Sequence, residues 1–142
     1  MDYACLITGQ NYEALKDSAP YIVELKDNND FTRTLFTYNP KFPDKHLSIH
    51  LWHKEPGIYL RSRASLIELR RHFMRLTRIQ DEKSKRFFFH FYDPDIFISY
   101  LTKIQNWPKR LSYLYGIDKK MLALIDTYLC YHNSKSVSTA TL

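Results

Sequence analysis

Residues 61–104 read RSRASLIELRRHFMRLTRIQDEKSKRFFFHFYDPDIFISYLTKI, and this stretch decides the fold. Ser65 with Glu68 forms a capping box, in which each side chain satisfies an orphan amide of a first helical turn. Leu66, Leu69, Phe73 and Leu76 then recur at helical spacing, with Arg70, Arg71, Arg75 and Arg78 over much of the remaining surface. The spacing predicts a basic amphipathic helix ending near Ile79, followed by a polar turn over residues 80–85. The run Phe87–Tyr92 is aromatic throughout, which suits a central strand covered on both faces. Asp93-Pro94 predicts a second helix, with Asp93 as cap and Pro94 at the first position, where its missing amide is harmless.

Upstream, residues 3–7 read as a strand, 12–16 as a brief helical segment and 21–25 as a strand released by Pro20. Residues 31–38 form a short helix stopped by Pro40 and Pro43. In 46–52, Leu47, Ile49 and Leu51 alternate with His46, Ser48 and His50, the pattern of a half-buried strand, and 58–60 adds another. Downstream, Trp107-Pro108 breaks the second helix, and Met121, Leu122, Ile125 and Leu129 predict a final helix over 118–132. The Ser/Thr-rich residues 133–142 read as a disordered tail. The expected fold is therefore α+β: a single domain over 1–132, with a small mixed β-sheet of about five strands packed by three or more helices.

Composition narrows the function. Between Arg61 and Arg86 there are nine Lys/Arg and three Asp/Glu, so this one unit carries the whole chain's net charge of +6. A localised positive face points to a macromolecular partner more than to a small-molecule pocket. Eleven Tyr and nine Phe supply a core and also candidate interface anchors. The three glycines, Gly9, Gly57 and Gly116, are too far apart for a phosphate-binding loop or dinucleotide fingerprint. Cys5 and Cys130 have no metal or redox spacing, and the expected setting is a reducing cytoplasm. No apolar run approaches a signal peptide or a membrane span.

Three constellations compete for chemistry. His46, His50 and His53 would share one face of a helix in a zinc geometry, but on the strand favoured here His53 points away from the other two. His90, Asp93 and Asp95 cluster at a strand-to-helix junction, where Asp93 already has a structural role as a cap and no nucleophile or second base accompanies them. The arginine face of 61–86 could track phosphates, although Asp81 and Glu82 interrupt it. The expectation is no enzyme, no metal and no cofactor, with a protein surface as partner. A nucleic-acid-binding accessory module using the Arg61–Arg86 face is the alternative, and an enzyme built on the histidine groups comes third.

The ordered set Leu60-Arg61-Ser62-x-x-Ser65-Leu66, LRRHFMRL (69–76) and FFFHFYDPDIF (87–97) resembles the signature of bacterial type VI secretion effector adaptors, the Tap/Tec chaperone family, long described as a domain of unknown function. SAPYIVEL (18–25) is similar to that family's Ala-Pro-Tyr-Leu-Val segment, and LSYLYG (111–116) to the segment after the Asp-Pro helix. Phe91, Tyr92, Asp93 and Pro94 match the family core, whereas His90 and Asp95 stand where the family usually carries Arg. Relatives commonly have a further strand and helix ahead of the segment like residues 5–9. The resemblance implies a cytoplasmic adaptor that binds a cognate secreted effector and helps load it onto the valine-glycine repeat spike protein. The expected docking residues are Arg71 and Arg75 on the basic helix and Tyr92 at the junction, with Ser65, Glu68, Phe91, Asp93 and Pro94 structural.

Overall fold

The computed structural model describes residues 2–9, 12–37, 56–80, 83–117, 123–132 and 136–141, with backbone alone for 130–132 and 136–141. The expected strand over 46–52, with His46, His50 and His53, lies outside the described residues. In chain order the elements are β1 (Tyr3–Cys5), α1 (Tyr12–Leu15), β2 (Tyr21–Val23), α2 (Asp30–Leu35), β3 (Tyr59–Arg61), α3 (Leu66–Leu76), β4 (Arg78–Gln80), β5 (Arg86–Phe88), α4 (Pro94–Ile104), α5 (Pro108–Tyr115), β6 (Thr127–His132) and β7 (Ser136–Thr141). The fold is α+β. Among the described residues every strand pairing is antiparallel, and the strands form three small sheets, β1-β2, β3-β6-β7 and β4-β5, in place of one mixed sheet.

The two capped helices form where the side-chain signals place them. Ser65 Oγ accepts from the Glu68 amide at 3.3 Å, and the Ser65 amide donates to Glu68 Oε2 at 2.9 Å, completing the box. The Ser65 hydroxyl, which donates to Glu68 Oε2 at 2.6 Å, and next the Ser65 amide hold the Glu68 carboxyl below its ordinary pKa. Asp93 Oδ1 accepts from the Asp95 amide at 2.9 Å and the Ile96 amide at 3.3 Å, and Pro94 opens α4.

α3 stops at Leu76, short of the expected Ile79. Thr77 is buried, its hydroxyl donates to the Met74 carbonyl at 2.8 Å, and its own carbonyl accepts from the Phe89 amide at 2.9 Å. The chain then runs directly into β4. β5 is not the expected central strand. It ends at Phe88 in a two-stranded ribbon; Phe89 then packs half-buried against the core, and Phe91 is fully inside, its ring stacked on Phe73 at 5.1 Å. Trp107-Pro108 does end α4, but Pro108 also starts α5, a helix absent from the sequence reading.

Two further expectations are corrected. The final helix over 118–132 is replaced at 127–132 by β6, because Thr127, Tyr128 and Leu129 pair with Arg61, Leu60 and Tyr59 of β3. The 133–142 tail contributes β7, paired with β6 from Thr127↔Thr141 to His132↔Ser136. β-branched and small residues alternate there in a way that a ladder accepts and composition alone does not reveal.

One core unites these pieces. Leu69, Phe73 and Leu76 of α3 join Phe97 and Ile104 of α4, Leu114 and Tyr115 of α5, Ile125 just ahead of β6 and Tyr128 within it. Burying each such side chain contributes about 1.5–3 kcal/mol, so this cluster is the main source of stability. β1 and β2 pack on α3 from one side, while α4 bridges α5 and β6 on the other.

Candidate binding surfaces

A groove of about 770 Å³ opens between β2 and β3. Its walls are β2, α2, β3 and the first turns of α3, and Phe73 and Phe91 form its floor. The groove is mostly apolar because the inward positions of these short elements are Ile22, Leu35, Leu60, Leu66 and Leu69. Among the described residues, β2 pairs only with β1 and β3 only with β6, so both strands leave an edge unpaired. The Leu6 amide donates to the Pro20 carbonyl and the Glu24 amide to the Asp2 carbonyl. That register turns the Tyr21 and Val23 backbone groups away from β1, towards the open edge.

Tyr92 lines this groove. Its ring stacks on His90 at 5.5 Å and meets Phe91 edge-on at 5.6 Å. Burial, and next the Asp93 charge, raise its phenol above the ordinary pKa. Arg71 and Arg75 do not join it. They stand exposed on α3 along one stripe with Ile67, itself 70% exposed, while the opposite face of the helix carries Leu69, Phe73 and Leu76. The three expected docking residues therefore occupy two surfaces. Arg70, grouped with them by sequence, is structural: its Nε donates to the Cys5 carbonyl at 2.9 Å and ties α3 to β1.

The junction cluster separates into distinct roles. Asp93 is a helix cap, His90 is exposed and held between Phe88 and Tyr92, and Asp95 is exposed on the first turn of α4. Among the described residues no group of three or more His, Cys, Asp and Glu is arranged to hold a metal ion. No helix of the described residues is long and apolar enough to cross a membrane.

Sequence reading passed over His72, which lies within the basic stripe but is buried. Its Nε2 lies 3.0 Å from the Leu114 carbonyl, and Tyr128 Oη donates to the same oxygen at 2.7 Å. This carbonyl belongs to the last turn of α5, where no intrahelical donor remains, so two side chains from α3 and β6 complete it. Burial depresses the His72 pKa, opposed by the Leu114 hydrogen bond. The signal was its position: residues 69, 72, 73 and 76 share one helical face.

The groove was also missed. Its walls come from segments 21–25, 31–35 and 56–66, whose meeting no local pattern encodes.

Residues 1–109 match the family model described as Domain of unknown function (DUF4123). No curated protein matches the chain. No solved structure matches it either.

Proposed function

The chain belongs to the DUF4123 family, and we propose that it is a cytoplasmic adaptor of type VI secretion, which binds a cognate effector and helps load it onto the spike protein. The observation that carries this reading is the apolar groove between β2 and β3, whose facing edges are unpaired among the described residues. An extended effector segment fits such a site by adding a strand, its backbone pairing with Tyr21 and Val23 and its apolar side chains entering the groove. Tyr92 supplies an aromatic anchor at the wall, where one desolvated ring contributes more than many rim contacts. The motifs at 18–25, 60–76 and 87–97 support the same reading, since they supply the walls, the floor and Tyr92. Arg71 and Arg75, away from the groove, would orient the partner and raise its on-rate.

The test is a tagged pull-down from native cells after nuclease treatment, comparing the unaltered chain with Tyr92→Ala and with Val23→Arg. Recovery of one large effector-like protein, with or without the spike, and its loss in the variants is the expected result. Recovery of only nucleic-acid-binding proteins, lost on nuclease treatment, would sink the adaptor reading.

A further inference from the structure

The β4-β5 ribbon stands apart from the core. All six of its residues are exposed, and among the described residues no third strand joins it, an arrangement that is marginal in water. Its register pairs Arg78 with Phe88, Ile79 with Phe87 and Gln80 with Arg86. Side chains alternate across a strand, so the two faces differ. One face carries Ile79 and Phe87, both 43% exposed, with the Lys85 ammonium 5.2 Å from the centre of the Phe87 ring. The other carries Arg78, Arg86, Gln80 and Phe88, the last edge-on to His90 at 5.2 Å. Among the described residues neither Arg78 nor Arg86 makes an ion pair.

We propose that this ribbon is the docking site for an extended partner strand whose side chains alternate carboxylate and apolar. A strand added to either edge continues both faces. Its apolar side chains extend the Ile79–Phe87 face, and its carboxylates stand beside Arg78 on the β4 edge or beside Arg86 on the β5 edge. The charge complementarity is fixed by sequence: residues 78–88 hold four cationic residues against two acids, Asp81 and Glu82. A nucleic acid fits less well, because a phosphate track leaves the Ile79–Phe87 face uncovered. The inference rests on the adaptor reading only in assigning the strand to a cargo or carrier protein. The ribbon is distinct from the groove, which none of its residues lines.

The experiment measures fluorescence anisotropy of a short labelled peptide alternating glutamate with leucine. Its controls are a peptide of the same composition in two blocks, one with lysine in place of glutamate, and a single-stranded oligonucleotide as competitor. The alternating peptide should bind the intact chain, and the block and lysine peptides should bind roughly tenfold or more weakly. Ile79→Ser with Phe87→Ser should weaken binding by a similar factor. Arg78→Glu with Arg86→Glu should weaken it and flatten its salt dependence. These positions are exposed, so an unchanged melting temperature shows that the variants are folded. Failure of the alternating peptide to bind, equal binding of the block or lysine peptide, unaltered binding by the variants, or displacement by the oligonucleotide would each overturn the proposal. The adaptor reading falls separately, if the intact chain captures no effector from native cells.

Discussion

Replacing Gly116 with alanine tests the joint that holds α3, α5 and β6 together. Gly116 caps α5 at φ 64° and ψ 41°, the left-handed region, with its amide donating to the Tyr113 carbonyl at 3.2 Å. A Cβ there would lie 2.8 Å from the Leu124 Cβ and 3.4 Å from His72 Cε1 and Nδ1. The left-handed conformation costs a non-glycine residue about 1 kcal/mol. The Leu124 contact is worse, because a Cβ moves only with its backbone. That backbone is tied down: the Leu124 amide donates to the Tyr115 carbonyl at 3.0 Å and the Ile125 amide to the same oxygen at 3.1 Å. Overpacking against such a fixed neighbour adds about 1–3 kcal/mol. The expected loss is therefore about 2–4 kcal/mol, read as a lower denaturant midpoint at unchanged slope. In a domain of this size it corresponds to a melting-temperature fall of roughly 5–15 °C. Asparagine, which tolerates the left-handed region but has a Cβ, separates the two causes. If Gly116→Asn is as damaging as Gly116→Ala, the contact dominates; if it recovers most of the stability, the dihedral does. A loss below about 0.5 kcal/mol for alanine, the range of ordinary surface changes, would refute the reasoning.

Ser65→Ala removes the acceptor of the Glu68 amide and should cost about 1 kcal/mol in chemical denaturation, with no change in spectra of the folded state. His72 has a folded-state pKa below its ordinary 6.5, so its contribution to stability is fully present above that value. As pH falls below 6.5 and through the depressed folded value, protonating the buried ring opposes folding and that contribution is lost. Denaturation midpoints of the unaltered chain should therefore fall more steeply between neutral and mildly acidic pH than those of His72→Gln; parallel pH profiles would exclude this ring as a cause. Arg71→Glu with Arg75→Glu should slow effector capture and weaken its salt dependence while leaving the melting temperature nearly unchanged, since both side chains are exposed and make no ion pair among the described residues. Unchanged capture kinetics would remove this stripe from the docking surface.

Local chemistry made α2, α3 and α4 legible. A cap joins residues two or three apart, so Ser65 and Asp93 mark helix starts without reference to the rest of the chain, whereas the Asn29 cap of α2 emerged only in the structure. β2 was legible too, since Pro20 excludes helix before it. The buried stripe Leu69, Phe73 and Leu76 followed from helical period, and the exposure of Arg71 and Arg75 followed from the same wheel. The expected docking residues could be placed one by one but not as an arrangement: no spacing shows that Tyr92 lines a groove while the arginines stand on the exposed face of α3.

By itself, then, the sequence determined the α+β class, the two side-chain-capped helices around the basic and Asp-Pro segments, and where the positive charge concentrates. Tertiary structure decided the rest. Ile125 and Leu129 suit a helical stripe, yet 127–132 becomes β6, because β3 offers hydrogen-bond partners nearly seventy residues away in sequence. Phe87 and Phe88 are apolar enough for a core, yet among the described residues no third strand covers their ribbon and they remain exposed, whereas Phe91 finds Phe73 and is buried. His72, polar by type, is drawn inside because α5 ends on a carbonyl that needs a donor. Caps and periods act over one or two turns, where the chain carries its own information. Strand pairing and burial depend on which distant partner arrives, which only the folded chain specifies.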